Sequence, residues 1–330
     1  MNRRDTLLAF LALGAAVAPL AAQAQQANDK TARIGILVSG SAAQRGHLEQ
    51  ALLEGLRERG FIEGKNLVIE RRYADGRRDR VPEFARELAG MKLDAVVTTC
   101  TPSTRAAKQA TDSTPIVMAA VADPVGQRLI ASLARPGANI TGLSSQAEDI
   151  LPKMMELFSG VLPKRANVAV FSQGGSEVHP RMWQQLAPIG QALNLNLVKI
   201  EVAAPASLRA AFDTALREKA DALFFLPDEP MFLTQRARIV ELAAAARLPA
   251  FYGASEFVDD GGLMSYGENL AAAYRNAAGY INNLARGAKP GDLPVEQPKK
   301  FELAVNLKTA KALGITIPQS LLLRADRVVR

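Results

Sequence analysis

Order, more than identity, constrains what this chain can fold into. A short apolar run, a polar loop and a helical pattern recur in the same succession in its two halves. Ala32-Arg33-Ile34-Gly35-Ile36-Leu37-Val38-Ser39 is echoed by Ala166-Asn167-Val168-Ala169-Val170-Phe171-Ser172. Asp94-Ala95-Val96-Val97 returns as Asp221-Ala222-Leu223-Phe224, and Thr114-Pro115-Ile116-Val117 as Leu248-Pro249-Ala250-Phe251. The offsets are 134, 127 and 134 residues, so the repeat is one of pattern and its alignment needs gaps. Two similar α/β lobes leave a cleft between them, and clefts between domains are where small ligands bind.

The first half predicts strands over 33–39, 66–73, 95–99, 115–121 and 139–143. Helices are expected over 43–59, where Leu48, Leu52 and Leu56 recur at helical spacing, and over 79–88, where Val81, Phe84, Ala85 and Leu88 share a face. Ser103 is expected to cap a short helix after the third strand. The second half predicts strands over 168–172, 196–202, 222–226, 249–252 and 263–266. Strands alternating with helices imply parallel sheets covered on both faces, because each right-handed crossover lays its helix against the sheet. Ligands of such open sheets sit at the carboxyl ends of the strands.

The N-terminus carries a short basic start, Asn2-Arg3-Arg4, an apolar stretch over 6–20 and the small-x-small site Ala22-Gln23-Ala24. This predicts a signal peptide over 1–24, exported by the Sec route or, through Arg3-Arg4, by Tat. The stretch is too short for a membrane span. The chain is therefore expected to be periplasmic, and 306 residues remain for two domains of about 150 each.

Composition excludes several classes. The net charge of +7 falls to +6 once Arg3, Arg4 and Asp5 are removed, and the remaining basic residues are scattered. A solvated surface is expected, with no nucleic-acid partner, although the excess favours an anionic ligand at long range. Cys100 is the single cysteine, and His47 and His179 are the two histidines, so neither an internal disulfide nor a Cys/His metal cluster is available. Cys100 reads as a small buried hydrophobe.

The strand-to-helix loops hold the candidate binding residues. They are Gly40-Ser41-Ala42, Thr101-Pro102-Ser103-Thr104 and Ala122-Asp123-Pro124 in the first half. In the second half they are Gln173-Gly174-Gly175-Ser176, Pro227-Asp228-Glu229-Pro230 and Gly253-Ala254-Ser255-Glu256. Hydroxyls and backbone N–H groups at a helix start hold a carboxylate, and an opposing acid holds an ammonium. Ser41, Ala42, Thr101 and Ser103 are thus expected around a carboxylate and Asp123 or Asp228 near an ammonium. Tyr252 is expected to line the side-chain pocket, and Ser255 to lie in a cleft loop. The same residue types also serve as ordinary caps and turns. Phe257, Phe232 and Trp183 lie near the same loops.

Several stretches resemble the substrate-binding proteins of ABC transporters, in the family that includes tryptophan- and tyrosine-type binding proteins. They are Gly55-Leu56-Arg57-Glu58-Arg59-Gly60-Phe61, Ala122-Asp123-Pro124-Val125-Gly126 and the run from Leu133 to Ser144, with Arg135-Pro136-Gly137-Ala138-Asn139-Ile140-Thr141-Gly142 at its centre. Gly261-Gly262-Leu263-Met264-Ser265-Tyr266-Gly267 and the run from Phe301 to Gly314 complete them. The loop Cys100-Thr101-Pro102-Ser103-Thr104 departs from the small-residue loop of many relatives. The resemblance implies the type I periplasmic binding protein fold: two Rossmann-like lobes with parallel sheets joined by a three-segment hinge. It also implies a small-molecule ligand such as an amino acid or aromatic acid, a membrane permease as partner, no cofactor and a monomeric chain. The crossings are expected at 144–149, 257–262 and 289–300, giving lobe 1 as 28–147 plus 260–297 and lobe 2 as 148–259 plus 298–330.

Other functions find less support. Gly253-Ala254-Ser255-Glu256-Phe257 lacks the second glycine of a nucleophile elbow, and neither G-x-G-x-x-G nor a P-loop lysine is present. Asp228 and Glu229 are adjacent acids in a Pro-flanked loop, which suits a turn more than a glycosidase pair. No enzymatic activity is expected. A repressor would need a helix-turn-helix before the first strand, and a receptor would need a spanning helix. A periplasmic sensor that presents its bound form to a membrane receptor stays open beside transport.

Overall fold

The computed structural model describes residues 31–228 and 230–330. The expected signal segment and Glu229 lie outside them.

Lobe 1 is built on a five-stranded parallel sheet in the order β2-β1-β3-β4-β5. Its strands are β1 (Ala32–Val38), β2 (Leu67–Tyr73), β3 (Ala95–Thr98), β4 (Ile116–Ala122) and β5 (Ile140–Ser145). Continuous apolar runs such as Ile116–Ala122, buried at every position, are what a strand covered on both faces requires. One face carries α2 (Arg80–Ala89) and α3 (Thr101–Ala110). The predicted face of α2, Val81, Phe84, Ala85 and Leu88, is the buried one. The other face carries α1 (Ala42–Glu58), against which a late helix, α10 (Leu270–Ala285), packs. Gly55 lets the two helices approach, since a Cβ there would stand 2.4 Å from the Arg275 carbonyl oxygen.

Lobe 2 repeats the scheme with seven strands in the order β12-β11-β10-β9-β8-β6-β7. These are β6 (Asn167–Gln173), β7 (Asn196–Val202), β8 (Ala222–Phe225), β9 (Ala250–Tyr252), β10 (Met264–Glu268), β11 (Phe301–Asn306) and β12 (Arg327–Val329). Helices α4 (Leu151–Ser159) and α5 (His179–Ala192) belong with one apolar cluster, and α6 (Leu208–Arg217) and α8 (Arg236–Ala246) with another. Short helices α7 (Pro230–Thr234) and α9 (Glu256–Asp259) lie between strands and helices at the cleft, and α11 (Leu307–Leu313) and α12 (Gln319–Leu322) link β11 to the final strand β12. The second cluster is continuous from lobe 1 into lobe 2 and joins Val97 and Ala119 to Phe225, Phe232 and Phe257.

Two expectations need correction. The sheets are not wholly parallel, because β11 runs antiparallel to β10, with Met264 opposite Val305. The second crossing also lies later than 257–262. Residues 264–268 pair with β9 and β11, and so belong to lobe 2; the chain returns to lobe 1 only at α10. The first crossing follows β5. The third follows Glu296, which is still tied to lobe 1 by the Ser144 N–H donating to its carbonyl oxygen at 2.8 Å.

Candidate ligand cleft

The carboxyl ends of β3, β4 and β5 face those of β8, β9 and β10 across a cavity of about 90 Å³. By the same measure one enclosed water needs about 10–15 Å³, so the space suits a small organic molecule. Lobe 1 contributes Thr99, Cys100, Ala120, Ser145 and Gln146, and α10 adds Leu270 and Tyr274. Lobe 2 contributes Phe225, Pro227, Asp228, Phe232, Phe257 and Glu268, with Gly253 and Gly267 in the floor. Those two glycines are dictated by close approach: a Cβ on Gly267 would stand 1.8 Å from the Gly253 carbonyl oxygen.

At the outer end, α3 points its N-terminus at the cleft. Cys100 is its N-cap and Ser103 its third residue, so the sequence's expected cap is shifted by three. The Ser103 hydroxyl accepts from the Thr99 and Cys100 N–H groups at 3.1 and 3.2 Å, and donates to the Cys100 carbonyl oxygen at 3.0 Å. Ser103 is thereby occupied with shaping the loop and does not line the cavity. Thr99 and Thr101 are different. Both are buried, and neither hydroxyl has a partner among the described residues. Such a group costs about 1–3 kcal/mol, which a ligand acceptor would offset. Thr99 lines the main cavity, and Thr101 lines an outer compartment of about 230 Å³ together with Arg78, Arg105 and Asp228.

Asp228 borders both compartments. Its φ of +64° is left-handed, a conformation that Asp adopts more readily than most residues and that often marks a functional position. His179 braces the loop from behind. It is 1% exposed, its Nδ1 accepts from the Gln173 N–H at 2.9 Å, and its Nε2 is 3.0 Å from the Pro227 carbonyl oxygen. Since Nδ1 accepts, Nε2 carries the proton and donates. Burial holds the imidazole down at about 4, so it is a neutral strut.

At the other end, Glu268 closes β10 and lines the cavity, and among the described residues nothing pairs with its carboxyl. Burial, and secondarily the charge of Glu256, push it up to about 8. Burial, the largest single influence, would raise Glu256, but the contact from His47 Nε2 at 3.3 Å, reaching across the cleft, a backbone hydrogen bond and the charge of Arg236 together hold that carboxyl below its usual range. Sequence reasoning missed Glu268. It sits within the Tyr266-Gly267-Glu268 strand end, where no loop signal marks it, and only sheet register brings it to the floor.

The remaining expected residues lie elsewhere. Ser41 and Ala42 begin α1 outside the cavity lining. Asp123 accepts from the Gly126 N–H at 2.8 Å and from Arg181 Nη2 at 2.6 Å, so it closes a turn and ties lobe 1 to lobe 2. Tyr252 is fully buried between Phe225 and Phe257, with stacked ring centroids 5.3 and 4.3 Å away, and burial pushes its phenol up. It is core, because its strand turns it inward beneath the cavity. Ser255 precedes α9 and does not line the cavity. Trp183 packs against the lobe 2 core, whereas Phe232 and Phe257 do line the cavity.

The lobes are drawn together by polar contacts around the rim. Besides Arg181–Asp123, Arg105 pairs with Glu177 through Nε at 3.1 Å, and Arg78 donates to the Gly175 carbonyl oxygen at 3.2 Å.

A family model described as ABC transporter substrate binding protein matches residues 33–329. A tyrosine-binding protein of Clostridioides difficile is 26% identical over 268 residues, 81% of this chain and 76% of that one. A solved conserved domain protein from Vibrio cholerae is 30% identical with a TM-score of 0.84, covering 91% of this chain and 100% of that one. An ABC domain from Streptococcus pneumonia in complex with L-Trp is 25% identical with a TM-score of 0.81, covering 90% and 100%. The architecture is the type I periplasmic binding protein fold.

Proposed function

The chain belongs to the ABC transporter substrate-binding protein family, and on that premise we propose that it captures an amino acid with a flat aromatic side chain by closing its lobes over it. The observation that carries this reading is the outer end of the cleft. There the N-terminus of the ten-residue helix α3, with the unpartnered hydroxyls of Thr99 and Thr101, faces Asp228. Helix N–H groups and hydroxyls favour a carboxylate, and an opposing acid favours an ammonium. Together they complement a zwitterion. The cavity beyond, with Phe232, Phe257 and Leu270 in its wall, suits an apolar ring. The names of the Clostridioides and Streptococcus relatives point the same way.

The N-terminal pattern supports export to the periplasm by Sec or Tat with cleavage after Ala24. The loaded form then presents the ligand to the membrane permease of an ABC importer as a monomer. Titration calorimetry with L-tryptophan and L-tyrosine tests the reading. We expect one site and a Kd near micromolar, about −8 kcal/mol, with compaction in solution scattering. Failure of both, and of the other amino acids in a thermal-shift screen, would discard it.

A further inference from the structure

We propose that Glu268 and Ser145 form a second polar subsite at the hinge end of the cleft, which reads a hydrogen-bond donor on the far edge of the ligand's side chain. The subsite selects a phenol or indole over a plain phenyl ring, and it rests on the amino-acid reading above.

Sheet geometry sets the distance. Asp228 follows β8, Glu268 ends β10, and β9 lies between. At about 4.8 Å per strand spacing, the two acids stand roughly 10 Å apart along the cavity floor. An aromatic amino acid anchored by its ammonium at Asp228 spans that distance, with its distal edge within hydrogen-bond reach of Glu268. A short aliphatic one does not.

The subsite draws on both lobes. Ser145 ends β5, is 6% exposed, lines the cavity, and has a hydroxyl without a partner among the described residues. Ser145 and Glu268 each stand immediately before an interlobe crossing, which puts them at one end of the cleft. The charged groups facing Glu268 do not neutralise it. Glu256 is engaged by His47 from α1 and lies in the field of Arg236, and it acts on Glu268 as a repelling charge. With its carboxyl pushed up to about 8, Glu268 is mostly a neutral acid at pH 7, and its carbonyl oxygen can accept from N–H or O–H. A phenyl ring seated there leaves a buried polar group unsatisfied. Sites built to hydrogen-bond a ligand group reject the analogue that lacks it far more strongly than they reject a change in size.

Titration calorimetry with L-tyrosine, L-tryptophan and L-phenylalanine tests this. The tighter of the first two should bind at least tenfold more strongly than L-phenylalanine. Glu268→Leu, which keeps similar volume without the polar group, should weaken that ligand and tighten L-phenylalanine. Misfolding cannot mimic this inversion, because it weakens all three. Equal affinities in the natural sequence, or an unchanged order in Glu268→Leu, overturn the subsite and leave amino-acid capture standing. Binding of none of the three to the natural sequence overturns both.

Discussion

The two lobes share a topology but bring different chemistry to the cavity between them. The strand ends of lobe 1 contribute hydroxyls, an amide and a thiol, with no charged side chain in the main cavity wall. Lobe 2 contributes two acids, Asp228 and Glu268, set among aromatic rings. An unpartnered hydroxyl is a modest liability, whereas an acid held in an apolar wall is a large one. Glu268, pushed up to about 8 by burial, puts the larger electrostatic cost on the lobe 2 side. On the proposed amino-acid reading, lobe 2 would decide which charge the ligand must bear, and lobe 1 how that ligand is oriented.

The sharpest way to break this contrast is Asp228→Asn. We expect L-tryptophan binding to weaken by at least about 100-fold, since truncating one partner of a buried charge pair costs about 2–5 kcal/mol. The ligand-free melting temperature should move little. A large drop in that temperature would make Asp228 structural and remove lobe 2's electrostatic role.

Two groups of lobe 2 give opposite pH signatures in the ligand-free protein. Glu268 sits at about 8 in the folded state against an ordinary 4.5. The native state keeps a proton that the unfolded state releases, so stability falls as pH rises through that window. His179 sits at about 4 against 6.5. The unfolded state takes a proton that the native state refuses, so stability falls as pH drops from 6.5 towards 4. The two windows overlap from 4.5 to 6.5, where the opposite slopes cancel, so melting temperature should be level there and fall as pH rises towards 8 or drops towards 4. Glu268→Gln should flatten the alkaline side and raise the melting temperature at pH 8 by on the order of 5 °C. A natural-sequence profile rising steadily from pH 6 to 8 would contradict the assignment of Glu268 as buried.

On the lobe 1 side the expected effects are smaller. Thr99→Val and Thr101→Val should each weaken binding about five- to tenfold, the worth of about one neutral hydrogen bond. Because neither hydroxyl has a partner among the described residues, both variants should melt at or above the natural temperature. The smallest effect belongs to the rim. Arg105→Ala removes a partly exposed pair with Glu177 and should cost less than about fivefold in affinity, mostly lost at high salt. A larger loss would move the control of closure from cavity to rim.

Most of the architecture was legible because it rests on periodicity. The apolar run over 115–121, bounded by turn residues, reads as a strand covered on both faces and is one at Ile116–Ala122, and Val81, Phe84, Ala85 and Leu88 share one side of a helix as their spacing requires. β11 and its antiparallel pairing were not legible, since strand direction is set by partners far along the chain. The site was read in part. Thr101 and Asp228, expected because loops after strands advertise themselves, do line the cleft compartments. Ser103 and Asp123 were expected for the same reason and are engaged by their own turns, a distinction that lies in hydrogen-bond partners and not in residue type. Tyr252 and Glu268 show the opposite error. Each stands at or near a strand end, and the phase of the pleat turns the tyrosine into the core and leaves the acid in the cavity wall.

The three crossings between the lobes lie beside Ser145, beside Glu268 and just after Glu296, all at one end of the cleft, so in the proposed lobe closure that end would be the axle of a lever. Rotation moves each point in proportion to its radius. The floor next to the axle sweeps a short arc and keeps its shape in either posture, while the loops around Thr101 and Asp228 swing widely. On the proposed reading, an arriving aromatic amino acid would therefore meet the seat for its ring before the seat for its head group is assembled. In that order side-chain inspection would come first in time and charge capture last. The residues at the far radius would then set how long the molecule stays, and those near the axle which molecule is allowed to begin.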